Sequence, residues 1–451
     1  MDAPRRPPSS RRRDLRAVLA DGVAFSVMIG LGETYVPAFV LALGFGASEA
    51  SLIATAPLLA GALLQLVTPL GVRLLGSYRR WVVGCATLQA LSLLPLAGAA
   101  LRGEAPRLAL FAVASAYWGF GMATGPAWNA WVGTLVPRPL RARFFARRTR
   151  VSQAALLVAI AAAGAWLDLG RAADRELLAF GVLFVLAAVA RLVSARFLAA
   201  QSEAPGLARS HRSPAPGRVL AGVRASGAGR MLLYLLSMQA AVHLAAPFFT
   251  PYMLGPLGLD YAQFMALTGM AFASRIAVLP ALGRLAHDRG VAPLLAVGAV
   301  GVTPLPALWL VSDAFLYLLA LQVLSGAMWA ALELGTALAF FESLEERDRA
   351  RILTLYNLAH AAAITGGALL GTLLFRSVPD GAGAYAVVFA VSAGARLLAL
   401  PLLPRAPRIP VPEGVRLRTL AVRPSAGAVQ RPILATLEDE EPASTPPPRT
   451  S

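Results

Sequence analysis

Twelve apolar runs, mostly of roughly 20–25 residues, alternate along the chain with short polar stretches. They cover 17–43, 49–71, 81–101, 108–135, 150–168 and 177–200, then 231–254, 262–283, 291–312, 315–341, 353–375 and 384–404. At about 1.5 Å of rise per residue, most are long enough to cross a hydrocarbon core about 30 Å thick. Lipid offers no hydrogen bonds to a bare backbone, so each run is expected to be helical. The first run continues past the length of a signal-peptide core and carries Asp21 and Glu33, which reads as a membrane helix.

The polar stretches divide the chain. A basic tail fills 1–16, a Pro/Ser/Arg-containing loop fills 201–230, and a Pro-rich tail with the acidic patch 437–441 fills 405–451. The last two are expected to be loosely held. Between them lie two six-span units, 17–200 and 231–404. The fold class read from this pattern is all-α and integral to the membrane, with twelve helices as two parallel six-helix repeats. Composition agrees: the chain is 57% hydrophobic and 14% charged, against about 25% charged in a soluble domain.

The two units are copies. Val182-Leu-Phe184-Val-Leu-Ala-Ala188-Val-Ala190-Arg191-Leu192 in the sixth span matches Val387-Val-Phe389-Ala-Val-Ser-Ala393-Gly-Ala395-Arg396-Leu397 in the twelfth at an offset of 205. Arg141 and Arg143 match Arg349 and Arg351 at 208, Gly71 matches Gly283 at 212, and Pro37 matches Pro251 at 214. Six spans separate the copies, so both run in the same direction across the membrane.

Charge sets the orientation. All 41 basic residues are arginine, and 32 of them fall on one side of the twelve-fold zigzag. By the positive-inside rule that side, with both termini, is cytoplasmic. The arginines alternate with apolar spans and form no continuous basic face, so no nucleic-acid partner is expected. The absence of lysine excludes a Walker A loop and a Schiff-base site. One cysteine, Cys85, excludes an intrachain disulfide, and the four histidines form no metal-binding motif. No cofactor, metal or enzymatic constellation is expected. The partners expected are the lipid bilayer, a small-molecule substrate and a coupling proton, with the chain acting as a monomer.

Two six-helix halves, a basic central loop and same-side termini resemble the major facilitator superfamily of secondary transporters, over about residues 15–404. That family carries a Gly-x-x-x-Asp-x-x-Gly-Arg-Arg type motif between its second and third helices. Here Gly71 and the pair Arg79 and Arg80 are kept, while Leu75 and Tyr78 replace the Asp and second Gly. The second copy keeps Gly283 and Gly290, with Asp288 displaced by one position and Arg289 following it. The resemblance implies a gating loop; the missing acid at Leu75 leaves turn formation as the competing role. The run Pro126-Ala-Trp128-Asn129-Ala-Trp131, followed by Arg141-Ala-Arg143, resembles a fourth-helix signature of bacterial permeases of unassigned substrate. The sugar-porter pattern after the sixth span and the Gly-Pro motif of drug–proton antiporters are both missing. The resemblance implies a transporter of the bacterial cytoplasmic membrane whose first, fourth, seventh and tenth helices line a central cavity.

A charge at mid-bilayer costs at least about 2.5–3.5 kcal/mol, so it faces the interior and acts there. Glu33, flanked by Gly30, Gly32 and Pro37 in the first span, and Glu333 in the tenth are the candidate proton-coupling or substrate-binding acids. A carboxyl moved out of water favours its neutral form, which lets it exchange a proton near neutral pH. Arg275, in the middle of the eighth span, needs either a carboxylate partner, for which Glu33 and Glu333 are the candidates, or an anionic substrate. His243 is a candidate proton relay; Gln239, Asn129, Tyr35, Trp118 and Asn357 are candidate cavity groups. Asp21 is expected to cap its helix or pair with a loop arginine. Arg191 and Arg396 are expected to snorkel to the cytoplasmic interface. The competing class is a membrane scaffold or sensor that keeps the fold without transport.

Overall fold

The computed structural model describes residues 8–136, 138–203, 228–343, 346–379 and 381–403. Most of the central loop and the tail beyond 403 lie outside the described residues. Twelve principal helices follow the twelve apolar runs. The first half holds α1 (Pro8–Leu31), α2 (Ala47–Leu75), α3 (Tyr78–Leu91), α4 (Arg107–Leu135), α5 (Arg138–Ala172) and α6 (Glu176–Ala199). The second holds α7 (Ala228–Ala245), α8 (Tyr261–Arg289), α9 (Val291–Val302), α10 (Phe315–Ser343), α11 (Glu346–Ser377) and α12 (Gly381–Ala399). Among the described residues, eleven stretches are long and apolar enough to cross a membrane. The remaining run, 353–375, lies within α11.

The helices start earlier on the arginine-rich side than hydropathy predicts. α1 begins at Pro8 against 17, α5 at Arg138 against 150, and α11 at Glu346 against 353. Hydropathy locates the lipid-facing band. These extra turns are arginine-rich and stay helical by continuity with the span that follows.

Helix pairing repeats between the halves. α1 packs on α5 and α6 as α7 packs on α11 and α12; α4 packs on α2 and α3 as α10 packs on α8 and α9. The halves meet through α2 against α11 and α5 against α8, which are symmetry mates of one another.

The copies also share their interruptions. The first run breaks at a 3-10 turn, Glu33–Tyr35, and resumes as Val36–Ala42; the seventh breaks at Ala246–Phe248 and resumes as Phe249–Leu254. The third breaks after Leu91 and resumes as Leu94–Arg102; the ninth breaks after Val302 and resumes as Leu305–Leu308. Pro95 and Pro306 sit in the first turn of the resumed helices, 211 residues apart. Proline has no N–H to give the carbonyl four residues back, so Leu91 and Val302 lose their helical donors.

Small residues set the closest approaches. A Cβ on Gly367 of α11 would lie 2.2 Å from the Ala240 carbonyl oxygen on α7, and one on Gly371 would lie 2.2 Å from that of Leu244. Backbone cannot yield as a flexible side chain does. Gly367→Val is expected to destabilise the protein by about 1–3 kcal/mol, read as a lower thermal midpoint of the purified protein in detergent.

Candidate functional site

A cavity of about 400 Å³ lies between the two bundles. The first half contributes Glu33, Thr34, Tyr117 and Trp118; the second contributes His243, Arg275, Gln322, Trp329 and Arg396. Apolar side chains such as Ile53, Leu58 and Phe249 fill the rest of the wall. The helix interruptions at Glu33–Tyr35 and Ala246–Phe248 both open onto this space.

Glu33 is buried in the 3-10 turn of the first run. Tyr117 on α4 donates its hydroxyl to Glu33 Oε2 at 2.5 Å and stands edge-on to Trp118. Across the cavity, His243 Nδ1 lies 2.8 Å from the Gln239 backbone oxygen. A carbonyl only accepts, so Nδ1 carries the proton in this contact. Gln239 itself is not a wall residue; its side-chain Oε1 is buried without a hydrogen bond among the described residues.

Arg275 pairs with Glu333. One guanidinium nitrogen, Nη1, donates to both carboxylate oxygens at 2.9 Å, with side-chain exposures of 15% and 28%. Of the two candidate acids, the tenth-span residue is therefore the partner, and Glu33 is held by Tyr117.

Other expected site residues lie elsewhere. Tyr35 is no cavity group: it is fully buried nearer the arginine-poor end, donating to the Ile160 carbonyl oxygen at 2.8 Å and packing on Phe264. Asn129 and Asn357 fall on α4 and α11, and their side chains lie outside the described residues. Gly71 is inside α2, where its missing Cβ admits the Trp81 ring; the left-handed turn residue is Gly76, with φ of 61°. Gly283 is likewise helical, and Gly290, φ 83°, makes the turn after α8. Asp288 and Arg289 are exposed in the last turn of α8 and make no hydrogen bond or ion pair among the described residues.

The acid missing at Leu75 is supplied from another element. Glu203, just beyond α6, accepts from the backbone N–H of Tyr78 at 2.6 Å and of Arg79 at 3.3 Å, and bonds the Ser77 hydroxyl. It caps the N-terminus of α3, where a negative charge meets the positive end of the helix dipole. Arg79 returns a 3.5 Å hydrogen bond to the Gln201 carbonyl oxygen, while the Arg80 N–H is capped by Ser77 Oγ at 3.1 Å.

Two arginines expected to snorkel to the interface, Arg191 and Arg396, are instead buried, and so is Arg148. Arg148, counted from the sequence among the loop arginines, is fully shielded on α5. It lies 3.7 Å from Asp21 and over the Trp128 ring. Arg191 is fully buried too, bonded to Ser194 at 2.8 Å, and Ser194 donates to Asp21 at 2.7 Å. Arg396 is 2% exposed and lines the cavity. Snorkelling fails because these side chains point inward among packed helices.

Among the described residues, polar side-chain contacts between the halves gather at the arginine-poor end. Asp168 at the end of α5 accepts from the Tyr261 N–H at 2.8 Å, and Glu176 at the start of α6 accepts from the Tyr261 hydroxyl. Tyr35 packs edge-on against Tyr261, and Glu49 on α2 lies 3.5 Å from Arg376 on α11. None of the Tyr261 contacts was foreseen from sequence. The two carboxylates sit at helix ends on either side of a short polar turn and look like ordinary interfacial acids until the halves are docked.

No family model and no curated protein matches the chain. Solved structures do. A mutant of the nucleoside transporter NupG superposes with a TM-score of 0.68 at 13% identity, covering 86% of this chain and 98% of that one. A D-xylose-proton symporter gives 0.68 at 13%, covering 88% and 98%. A bacterial homolog of the human lysosomal transporter Spinster gives 0.64 at 12%, covering 88% and 96%. At these identities the likeness concerns the fold, and it spans both bundles. The chain has the all-helical, two-bundle major facilitator fold.

Proposed function

We propose that the protein is a secondary active transporter that moves a small solute across the cytoplasmic membrane by alternating access, coupled to a proton. The observation that carries this reading is the cavity between two repeated bundles, lined by ionisable groups from both. A rocking motion about such a cavity exposes it to one side and then the other. By the positive-inside rule the arginine-rich end is cytoplasmic, so the Tyr261 contacts act on the outer side. Glu33, beside Tyr117 and on a loosened helix, is the proton carrier. His243 shares the cavity and relays. The Arg275–Glu333 pair fixes α8 against α10, and its exchange with a proton on Glu333 is the second coupling step. Gly71, Arg79, Arg80, Gly283, Asp288, Arg289 and Gly290 belong to the helix ends and turns that re-pack at the inner face.

The test is uptake into proteoliposomes of a defined mixture of small organic solutes, read by mass spectrometry of the lumen, with and without a pH gradient. At least one solute is expected to accumulate when a gradient is imposed, and Glu33→Gln is expected to remove the gradient dependence. If nothing accumulates, or accumulation ignores the gradient in wild type, the reading fails. The formed Arg275–Glu333 pair also fits a static scaffold, which predicts no accumulation of any solute.

A further inference from the structure

The two halves treat one pair of arginines differently. Arg191 on α6 and Arg396 on α12 occupy matching positions of the repeat, and both are almost wholly shielded. In the first half the charge is answered: Arg191 bonds Ser194, which bonds Asp21. In the second half those partners are gone. The position matching Ser194 is Ala399, the one matching Asp21 is Leu235, and α7 carries no acidic residue at all.

Among the described residues Arg396 makes one hydrogen bond, from Nη1 to the Val302 carbonyl oxygen at 2.7 Å. That oxygen is the one Pro306 leaves without a helical donor. Capping the broken end of α9 accounts for one of five guanidinium N–H groups, and a neutral donor would serve it equally. Arg396 Nε is buried without a hydrogen bond, and no carboxylate lies within ion-pair reach among the described residues. The partial charge of a helix C-terminus, about half an electron, does not balance a full cation in a dry interior.

The guanidinium lines the cavity together with Leu305, Trp309 and Phe249 of the same half. The rings of Phe249 and Trp309 lie 5.2 Å apart. A fork of N–H donors in one cavity with two aromatic rings matches a carboxylate or phosphate carried on a flat apolar body. We propose that Arg396 is the counter-charge of a binding subsite for organic anions of this kind, which makes them the substrate class. Arg275, the arginine singled out by depth, is already neutralised by Glu333 and leaves this role to Arg396. The substrate assignment rests on the cavity being a transport site; the subsite itself does not.

The test uses full-length protein purified in detergent and four ligands of one shape: benzoate, phenylphosphate, benzamide and benzylamine. A saturable rise in thermal midpoint is expected with at least one anion, little with benzamide or benzylamine, and none with any of the four for Arg396→Gln. Equal responses to the neutral or cationic ligands, no response to either anion, or an anion response undiminished in Arg396→Gln would each overturn the proposal. The wild-type comparison can still overturn the proposal if the variant fails to fold. Anion binding without uptake of any solute would defeat the transport reading and leave the subsite standing. Uptake of a cation with no anion binding would do the reverse.

Discussion

Asp21→Leu is expected to cost about 3–5 kcal/mol and to leave little folded protein, because it removes an acid from among buried guanidinium groups. Asp21, Arg148 and Arg191 are each fully shielded from solvent. Arg148 reaches Asp21 directly, at 3.7 Å, and Arg191 reaches it through Ser194. The cluster ties α1 to α5 and α6, and α1 has no room to shift. A Cβ on Gly22 would lie 2.9 Å from the Arg148 guanidinium carbon. Arg148→Met is expected to cost less, since Asp21 keeps Arg191 as its counter-charge. The yield of monodisperse protein by size-exclusion chromatography and the thermal midpoint of what survives check both variants. Equal loss in the two would mean that Arg148 acts by packing more than by charge.

The second large effect concerns Arg275 and Glu333. Either Arg275→Leu or Glu333→Leu alone leaves a charge deep in a membrane helix without its partner. The exchange Arg275→Glu with Glu333→Arg is expected to recover stability that each single charge reversal loses. A coupling energy of about 0.5–3 kcal/mol is anticipated for contacting groups, and the partial exposure of both side chains places this pair toward the lower end. Thermal midpoints of the four proteins close the cycle. Additive losses would show that the 2.9 Å contact contributes nothing to holding α8 on α10.

The sequence carries much of this architecture in readable form. Span positions follow from apolar length, and the repeat follows from arginine, proline and glycine anchors spaced by a slowly drifting offset. Arg275 needs a partner because of its depth, and Glu333 is one of two acids in the spans that can answer it. What stayed hidden depended on docking. Arg148 looks like a loop residue because a run of arginines precedes it, yet α5 is already helical there and turns it inward. Arg191 and Arg396 look equivalent because the matching stretches are alike; their environments diverge through Asp21 and Leu235, which lie more than 150 residues away. Pro95 and Pro306 were a legible signal: their spacing of 211 falls within the drift of the repeat and marks paired helix breaks. The Tyr261 contacts depend on how the two bundles meet, which no local pattern encodes.

Alternating access to one central cavity can be tested without knowing the substrate. Ser325 lines the cavity, so Ser325→Cys in a Cys85→Ser background places one thiol there. A second protein adds Ala172→Cys and Ala262→Cys, which flank the Asp168–Tyr261 contact, and is oxidised to a disulfide. A charged, membrane-impermeant methanethiosulfonate is applied from each side of oriented membranes. The account predicts labelling of Ser325→Cys from both sides, with the disulfide abolishing labelling from the arginine-poor side alone. Labelling from one side only, or from neither, in the protein without the disulfide would contradict it.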